Sequence, residues 1–286
     1  MKTVTSPTIV RTGEDIRQVV HDAQRVGRRV GVVPTMGALH QGHLSLVDAA
    51  REHCDLVVVT VFVNPTQFAP HEDYQRYPRE LDSDAAKLAQ HGCDYVFAPS
   101  VEEMYPDGFE TSIDVGSVAL PYEGERRPTH FAGVATVVLK LLSLVPADAA
   151  FFGQKDYQQT LVVGQMIRDL NVPTDLVVCP TVRESDGLAM SSRNAYLDED
   201  QRQRATALSA SMQLAGRMVD RGERDVATLR RAMESHLAEV GGVDVDYIAF
   251  VRAGTVEAVE TIAGETMVLI AARVGQTRLI DNMQIG

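Results

Sequence analysis

An α/β fold, a doubly wound parallel sheet followed by a smaller α+β domain, is what this sequence predicts, and three observations carry the prediction. Short β-branched runs alternate with amphipathic helical patterns as far as about Pro180. The runs are apolar throughout, as strands buried on both faces require. Beyond Pro180 the texture changes to two polar helices followed by three strands, the order of a separate α+β unit. The domains predicted are 1–180 and 181–286.

In chain order, Thr12 and Asp15 resemble a capping box with Asp in place of Glu, and Ile16, Val19, Val20 and Ala23 then recur at helical spacing up to Gly27. Arg29 to Val33 is a β-branched strand closed by Pro34. Leu56 to Val63 is a longer one closed by Asn64 and Pro65, and Leu44, Val47 and Ala50 mark the helix between them. A helix over 81–90 and a strand over 95–98 follow. The apolar run from Phe131 to Val145 is interrupted by Lys140 and Ser143 and reads as a buried helix. A strand over 149–152, a helix over 157–170 and a strand over 176–179 close the large domain. In the small one, Ala205, Leu208, Met212 and Ala215 form one stripe on a helix starting near Asp198. Val226, Leu229, Met233 and Leu237 form another on a helix from Asp225 to Gly241 and Gly242, and strands over 245–250, 267–272 and 277–280 complete the chain.

Composition narrows the function. With 286 residues, 45% hydrophobic and 23% charged, this is an ordinary globular chain. Twenty-seven Lys and Arg against 39 Asp and Glu give a net charge of −12, which argues against holding a polynucleotide by bulk electrostatics. A small anion answers to a local field and is not excluded. Cys54, Cys93 and Cys179 form no CxxC pair, so a reducing cytoplasm is expected. Met1 to Val10 lacks the basic start and apolar core of a leader, and no stretch approaches the roughly 20 apolar residues of a membrane span.

Three segments could carry chemistry. Pro34 to His43 follows the first predicted strand and opens a helix. Gly37 and Gly42 allow close backbone approach, the helix start offers amides to phosphate, and His40 and His43 share one face of a turn. Polar loop residues or metal ligands are the alternatives for the two histidines; metal is the weaker, since no further ligand follows at metal spacing. Phe152 to Gln159 again joins a strand to a helix, with Lys155 as a mobile cation and Asp156 able to orient it or accept a ribose hydroxyl. Met190 to Asn194 brings two hydroxyls and a guanidinium that can wrap phosphate oxygens. A solvated loop is the plain alternative for each alone. Their common placement after strands or in the interdomain loop is the stronger signal, because ligands of parallel sheets bind beyond the carboxyl ends of the strands.

These residues resemble the pantothenate synthetase family, within the HxGH nucleotidyltransferase-like group. The blocks are PTMGALHQGHLSL (34–46), FVNPTQF (62–68), RPTHFAG (127–133), FFGQKDYQQ (151–159), TVRESDGLAMSSRNAYL (181–197) and the closing TRLIDN (277–282). The resemblance implies a Rossmann-like large domain and an ATP-dependent ligase that joins (R)-pantoate to β-alanine through pantoyl adenylate, releasing AMP and pyrophosphate. It further implies that Met36, Gly37, Ala38, Leu39, His40, Gln41, Gly42 and His43 bind ATP, with His43 the general acid. Gly153, Gln154, Lys155 and Asp156 would join them, with Val182 reading adenine through its backbone and Met190, Ser191, Ser192 and Arg193 holding the triphosphate. His40, His43, Lys155, Ser191, Ser192 and Arg193 are the expected catalytic set. Gln67 and Gln159 would bind pantoate, Gln67 also lying near β-alanine; apart from the resemblance, the proximity of apolar Phe62 and Val134 to these motifs leads us to expect them beside the dimethyl group. A phosphate-bridging Mg²⁺ with Asp84 as its protein contact, and a homodimer, are also expected. Gln154 stands where the family usually has Glu. The rivals are a nucleotidyltransferase releasing a stable nucleotidyl product and a silent nucleotide-binding scaffold; loss of His43, Lys155 or Arg193 would mark the second, and all three are present.

Overall fold

The computed structural model describes residues 6–70 and 72–286. The stretch Met1 to Val10, expected to carry no leader, lies partly outside them, at 1–5. The chain divides into two compact units, one of residues 1–153 and 158–180, the other of 154–157 and 181–286. Gln154 to Tyr157 thus sort with the second unit, although the sequence boundary at 180 leaves them in the first. No helix among the described residues is long and apolar enough to cross a membrane.

The first unit runs β1 (Thr8–Val10), α1 (Gly13–Arg25), β2 (Val30–Thr35), α2 (Gln41–His53), β3 (Leu56–Val61), α3 (Leu81–Gln90), β4 (Tyr95–Phe97), α4 (Val101–Met104), α5 (Glu123–Arg126), α6 (His130–Leu144), β5 (Ala149–Gly153), α7 (Tyr157–Asp169) and β6 (Asp175–Cys179). Its six strands pair in parallel in the order β1-β4-β3-β2-β5-β6. Alternate side chains of the strands enter two cores. Val32, Val58, Phe97 and Phe152 pack with residues of α1, α6 and α7, while Val33, Val59, Val96 and Phe151 pack with residues of α2 and α3. That is the doubly wound arrangement expected. Strand order reverses between the neighbours β2 and β5, which is where such sheets place ligands.

Several boundaries differ from expectation for physical reasons. Thr12 does cap α1 by accepting from the Asp15 amide at 3.2 Å, but the Asp15 carboxylate takes the Thr12 hydroxyl at 2.6 Å instead of reaching back to the cap amide, so the box is not reciprocal. Strand β2 continues through Pro34. The Val30 carbonyl accepts from Asp148, on the β5 side, so by alternation Pro34 also faces that side, where pairing already ends at Val32. Its missing N–H therefore costs no ladder bond. Strand β3 stops at Val61, two residues before the predicted end.

The second unit holds α8 (Glu199–Asp220), α9 (Val226–Val240) and an antiparallel sheet β7 (Val243–Arg252), β8 (Thr266–Val274) and β9 (Thr277–Ile285). Asp198 and Gln201 form a reciprocal capping box at α8, and Asp225 caps α9. The striped residues Leu208, Met212, Leu229, Met233 and Leu237 meet Phe250, Val268 and Ile270 in one core. All three strands outrun their predicted lengths, because the charged residues Arg252, Arg273 and Asp281 interrupt the apolar pattern but not the ladder.

Candidate active site

In the first unit the Pro34 to His43 segment leaves the carboxyl end of β2 through a tight turn. Gly37 has φ +82° and Ala38 φ +52°, so two successive residues are left-handed. A side chain at Gly37 would also meet Val61 at 3.0 Å and Asp84 at 3.1 Å. The turn is held from beneath by Asp84 on α3, which is fully buried. Its Oδ2 accepts from the Ala38 amide at 2.9 Å and its Oδ1 from the Leu39 amide at 2.8 Å. Lys87 closes the group, with its ammonium 3.6 Å from Asp84 Oδ1 and 2.9 Å from the Leu39 carbonyl.

That geometry gives Asp84, the expected magnesium contact, a structural task in the turn. Each Asp84 oxygen accepts one turn amide and none of the residue is exposed, so the carboxylate fixes the path of residues 38 and 39. Among the described residues no group of three His, Cys, Asp or Glu could hold a metal ion.

The two histidines are placed by the start of α2. His40 is the cap, its Nδ1 accepting from the Gly42 amide at 3.2 Å, and His43 Nδ1 accepts from the His40 amide at 3.4 Å. The pair makes a reciprocal box built from imidazoles, with ring centroids 4.1 Å apart. Because Nδ1 accepts in each ring, the neutral ring carries its proton on Nε2, a donor directed away from the cap.

The FVNPTQF and RPTHFAG blocks form one piece. A Cβ at Gly133 of α6 would lie 2.5 Å from the Thr66 carbonyl oxygen and 2.8 Å from Gln67 Cα, so the helix packs directly on the 65–67 turn. Asn64 donates to Gln67 Oε1 at 3.0 Å and to the Gly133 carbonyl at 3.2 Å, while Tyr105 donates to Asn64 Oδ1 at 2.7 Å. Gln67 Nε2 then points to Met36 Sδ at 3.1 Å, beside the histidine turn. The Gln67 carbonyl accepts from His130 Nδ1 at 3.0 Å. Burial, then the nearby Arg127 guanidinium, lowers the His130 pKa to about 4. Arg127 grips Glu72 at 2.7 and 2.8 Å; burial pushes that carboxyl up, yet Arg127 holds it below the usual range. Phe62 and Val134 are both buried in the core, 5% and 2% exposed. Gln159 lies in the first turn of α7 and is half-buried. Asn64 and His130 are buried polar residues to which the sequence assigned no site role; their signal was a polar residue inside or beside an apolar pattern.

In the second unit, Lys155 lies 3.4 Å from Asp156 Oδ1. The loop from Thr181 folds back on itself, with Met190 donating to the Val182 carbonyl at 3.0 Å and Arg183 bridged to Ala189. Ser191 caps the short 192–196 turn by accepting from the Arg193 amide at 3.3 Å. Asn194 donates to Glu184 at 2.8 Å, and Arg202 pairs with Glu184 at 2.6 Å and Asp186 at 2.8 Å. The Arg202 bond keeps the Glu184 carboxyl below its ordinary value. The structure thus gathers Met36 to His43 with Gln67 in one unit, and Lys155 and Asp156 with Val182 to Arg193 in the other.

Comparison with known proteins agrees with these motifs. The family described as pantoate-beta-alanine ligase matches residues 8–284. A pantothenate synthetase of Moorella thermoacetica is 48% identical over 96% of this chain and 97% of its own length, and one of Caldicellulosiruptor bescii is 45% identical over 97% and 98%. Among solved structures, the pantothenate synthetase of Thermus thermophilus superposes with a TM-score of 0.92 at 45% identity, covering 96% of this chain and 98% of that one. A pantoate-beta-alanine ligase from Francisella tularensis, complexed with beta-gamma ATP and beta-alanine, gives 0.80 at 33% identity over 97% of each chain.

Proposed function

This chain belongs to the pantoate–β-alanine ligase family and so condenses pantoate with β-alanine at the expense of ATP; from that premise we propose how its residues divide the work. In the first step a pantoate carboxylate oxygen attacks the α-phosphorus and pyrophosphate departs. In the second, the β-alanine amine attacks the acyl carbon of the adenylate and AMP departs. Two anions must meet in the first step, so placement and charge compensation are the main demands.

His40 and His43 meet part of that demand as Nε2 donors to phosphate oxygens, with His43 supplying the proton as charge builds on the departing group. The capping bonds at Nδ1 fix both the tautomer and the ring direction, and this is the observation that carries the reading. Lys155, Ser191, Ser192 and Arg193 are assigned to the triphosphate, Gly153, Gln154 and Asp156 to the adenosine side, and the Val182 backbone to adenine. Gln67 and Gln159 are assigned to pantoate, because neutral amides bind its carboxylate and hydroxyls without placing another charge beside ATP. Asn64 holds Gln67 Oε1, so Gln67 offers its remaining N–H to substrate. Mg²⁺, if it accompanies the nucleotide, would supply further positive charge at the phosphates. A cytoplasmic homodimer completes the proposal, the dimer being measurable by sedimentation.

Pantoate-dependent exchange of labelled pyrophosphate into ATP tests the first step, and AMP release on adding β-alanine tests the second. His43→Ala and Lys155→Ala are each expected to lower exchange by on the order of 10²-fold with the fold intact. Wild-type exchange in both variants would overturn the assignment.

A further inference from the structure

The closing TRLIDN block has no part in the assignments above, yet its last two residues sit under both phosphate-binding segments of the second unit. Asp281 and Asn282 lie on β9 and are each 4% exposed. Asn282 Nδ2 donates to the Gln154 carbonyl at 2.9 Å and to the Lys155 carbonyl at 2.8 Å. A primary amide has two N–H groups, and both are used on adjacent residues of one short turn. Its Oδ1 is buried with no partner among the described residues. The amide keeps this orientation although it leaves an acceptor unsatisfied, because the flipped one would set oxygen against two carbonyls.

Asp281 serves the other segment. The Arg183 guanidinium donates to Asp281 Oδ2 at 2.6 Å and Oδ1 at 3.0 Å, and also to the carbonyls of Gly187 at 3.1 Å and Asn282 at 3.1 Å. Asp281 Oδ1 is in turn held by the Asn282 amide at 2.7 Å. Arg183 therefore ties the base of the folded-back loop, from which Met190 to Arg193 continue, to the strand that clamps Lys155. Neither residue is needed for the sheet itself, since the β8–β9 ladder is a backbone pairing on either side of them.

We infer that Asp281 and Asn282 are positioning residues for the phosphate machinery: Asn282 sets the backbone of Lys155, and Asp281, through Arg183, sets the loop that carries Val182 and Met190 to Arg193. This rests on the proposed role of those segments in binding ATP. A fixed lysine matters because misplacement by about 1 Å of a group that meets the reacting phosphates is worth on the order of 10²-fold in rate.

A double-mutant cycle in the pyrophosphate-exchange assay tests it, using Asn282→Ala, Lys155→Ala and the pair. Asn282→Ala should lower exchange at least about tenfold, through kcat and the KM for ATP, with the KM for pantoate unchanged. In the Lys155→Ala background the same substitution should cost less than about threefold, since the group it positions is gone. Loss of folded protein would multiply through both backgrounds equally. Asn282→Asp, isosteric but without the two donors, repeats the cycle with the least disturbance to packing. Full additivity, or unchanged exchange in Asn282→Asp, overturns the inference. An unaffected Lys155→Ala variant would instead overturn the site assignment beneath it.

Discussion

Stability should fall as pH drops through the range set by one buried imidazole. His130 opens α6, is 9% exposed, and donates Nδ1–H to the Gln67 carbonyl at 3.0 Å. Burial, followed by the Arg127 guanidinium, lowers its pKa from 6.5 to about 4, against the smaller opposing effects of the Gln67 carbonyl, Glu123 and Glu72. Between those two values the unfolded chain takes up a proton that the folded chain refuses, so folding becomes less favourable as pH falls. Below about pH 4 both states are protonated and the dependence ends. A shift of this size corresponds to about 3 kcal/mol in full, of which about 2 kcal/mol is lost between pH 7 and pH 5. Urea unfolding at those two pH values measures it, compared with His130→Asn, whose amide can replace the Nδ1 donor and does not titrate. Other carboxylates contribute equally to both proteins, so the wild type should lose about 2 kcal/mol more than the variant. Equal losses would show that His130 is protonated in the fold and would refute the reasoning.

Two further outcomes follow from the first unit. Asp84→Asn places an NH₂ group against one of the two amides of Ala38 and Leu39, removing a hydrogen bond to a charged acceptor worth about 1.5–3 kcal/mol. Pyrophosphate exchange should fall roughly 10- to 100-fold with bulk secondary structure unchanged by circular dichroism; full activity would show that the turn does not depend on the carboxylate. Gly133→Ala puts a methyl group 2.5 Å from the Thr66 carbonyl oxygen, which can yield only by moving the 65–67 backbone and Gln67 with it. The KM for pantoate should rise about tenfold, and an unchanged value would separate Gln67 from pantoate binding.

Periodicity made most of the fold legible. Helix α3 follows the predicted limits residue for residue, and α8 and α9 begin at the predicted caps. What escaped is short or locally contradicted. Strand β1 has three residues and α4 and α5 four each, too few for a period to show. Pro34 read as a terminator because sequence cannot say that its neighbour strand has already diverged. In the site, residues with reactive side chains were visible by type, since His, Lys and Arg after strands are uncommon in a packing role. The polar residues that support them were not, because Asp84, Asn64 and Asn282 differ from surface residues only in what folds around them. Asp84 is the plainest case: only its two bonded amides reveal that its carboxylate holds the turn.

The same distinction settles what Gln154 does to its neighbour. With Glu at that position, an ion pair to Lys155 is an obvious way to hold the lysine, and Gln removes it. The structure holds the lysine differently. Lys155 meets Asp156 at 3.4 Å, and its main chain is fixed by Asn282 through the carbonyls of Gln154 and Lys155 at 2.9 and 2.8 Å. A bond to a carbonyl is indifferent to the side chain that residue bears. The Gln154 side chain itself points Nε2 to Met267 Sδ, at 4.0 Å. Gln in place of Glu therefore alters the local charge by one unit without touching the Asn282 bonds that hold the backbone of Lys155.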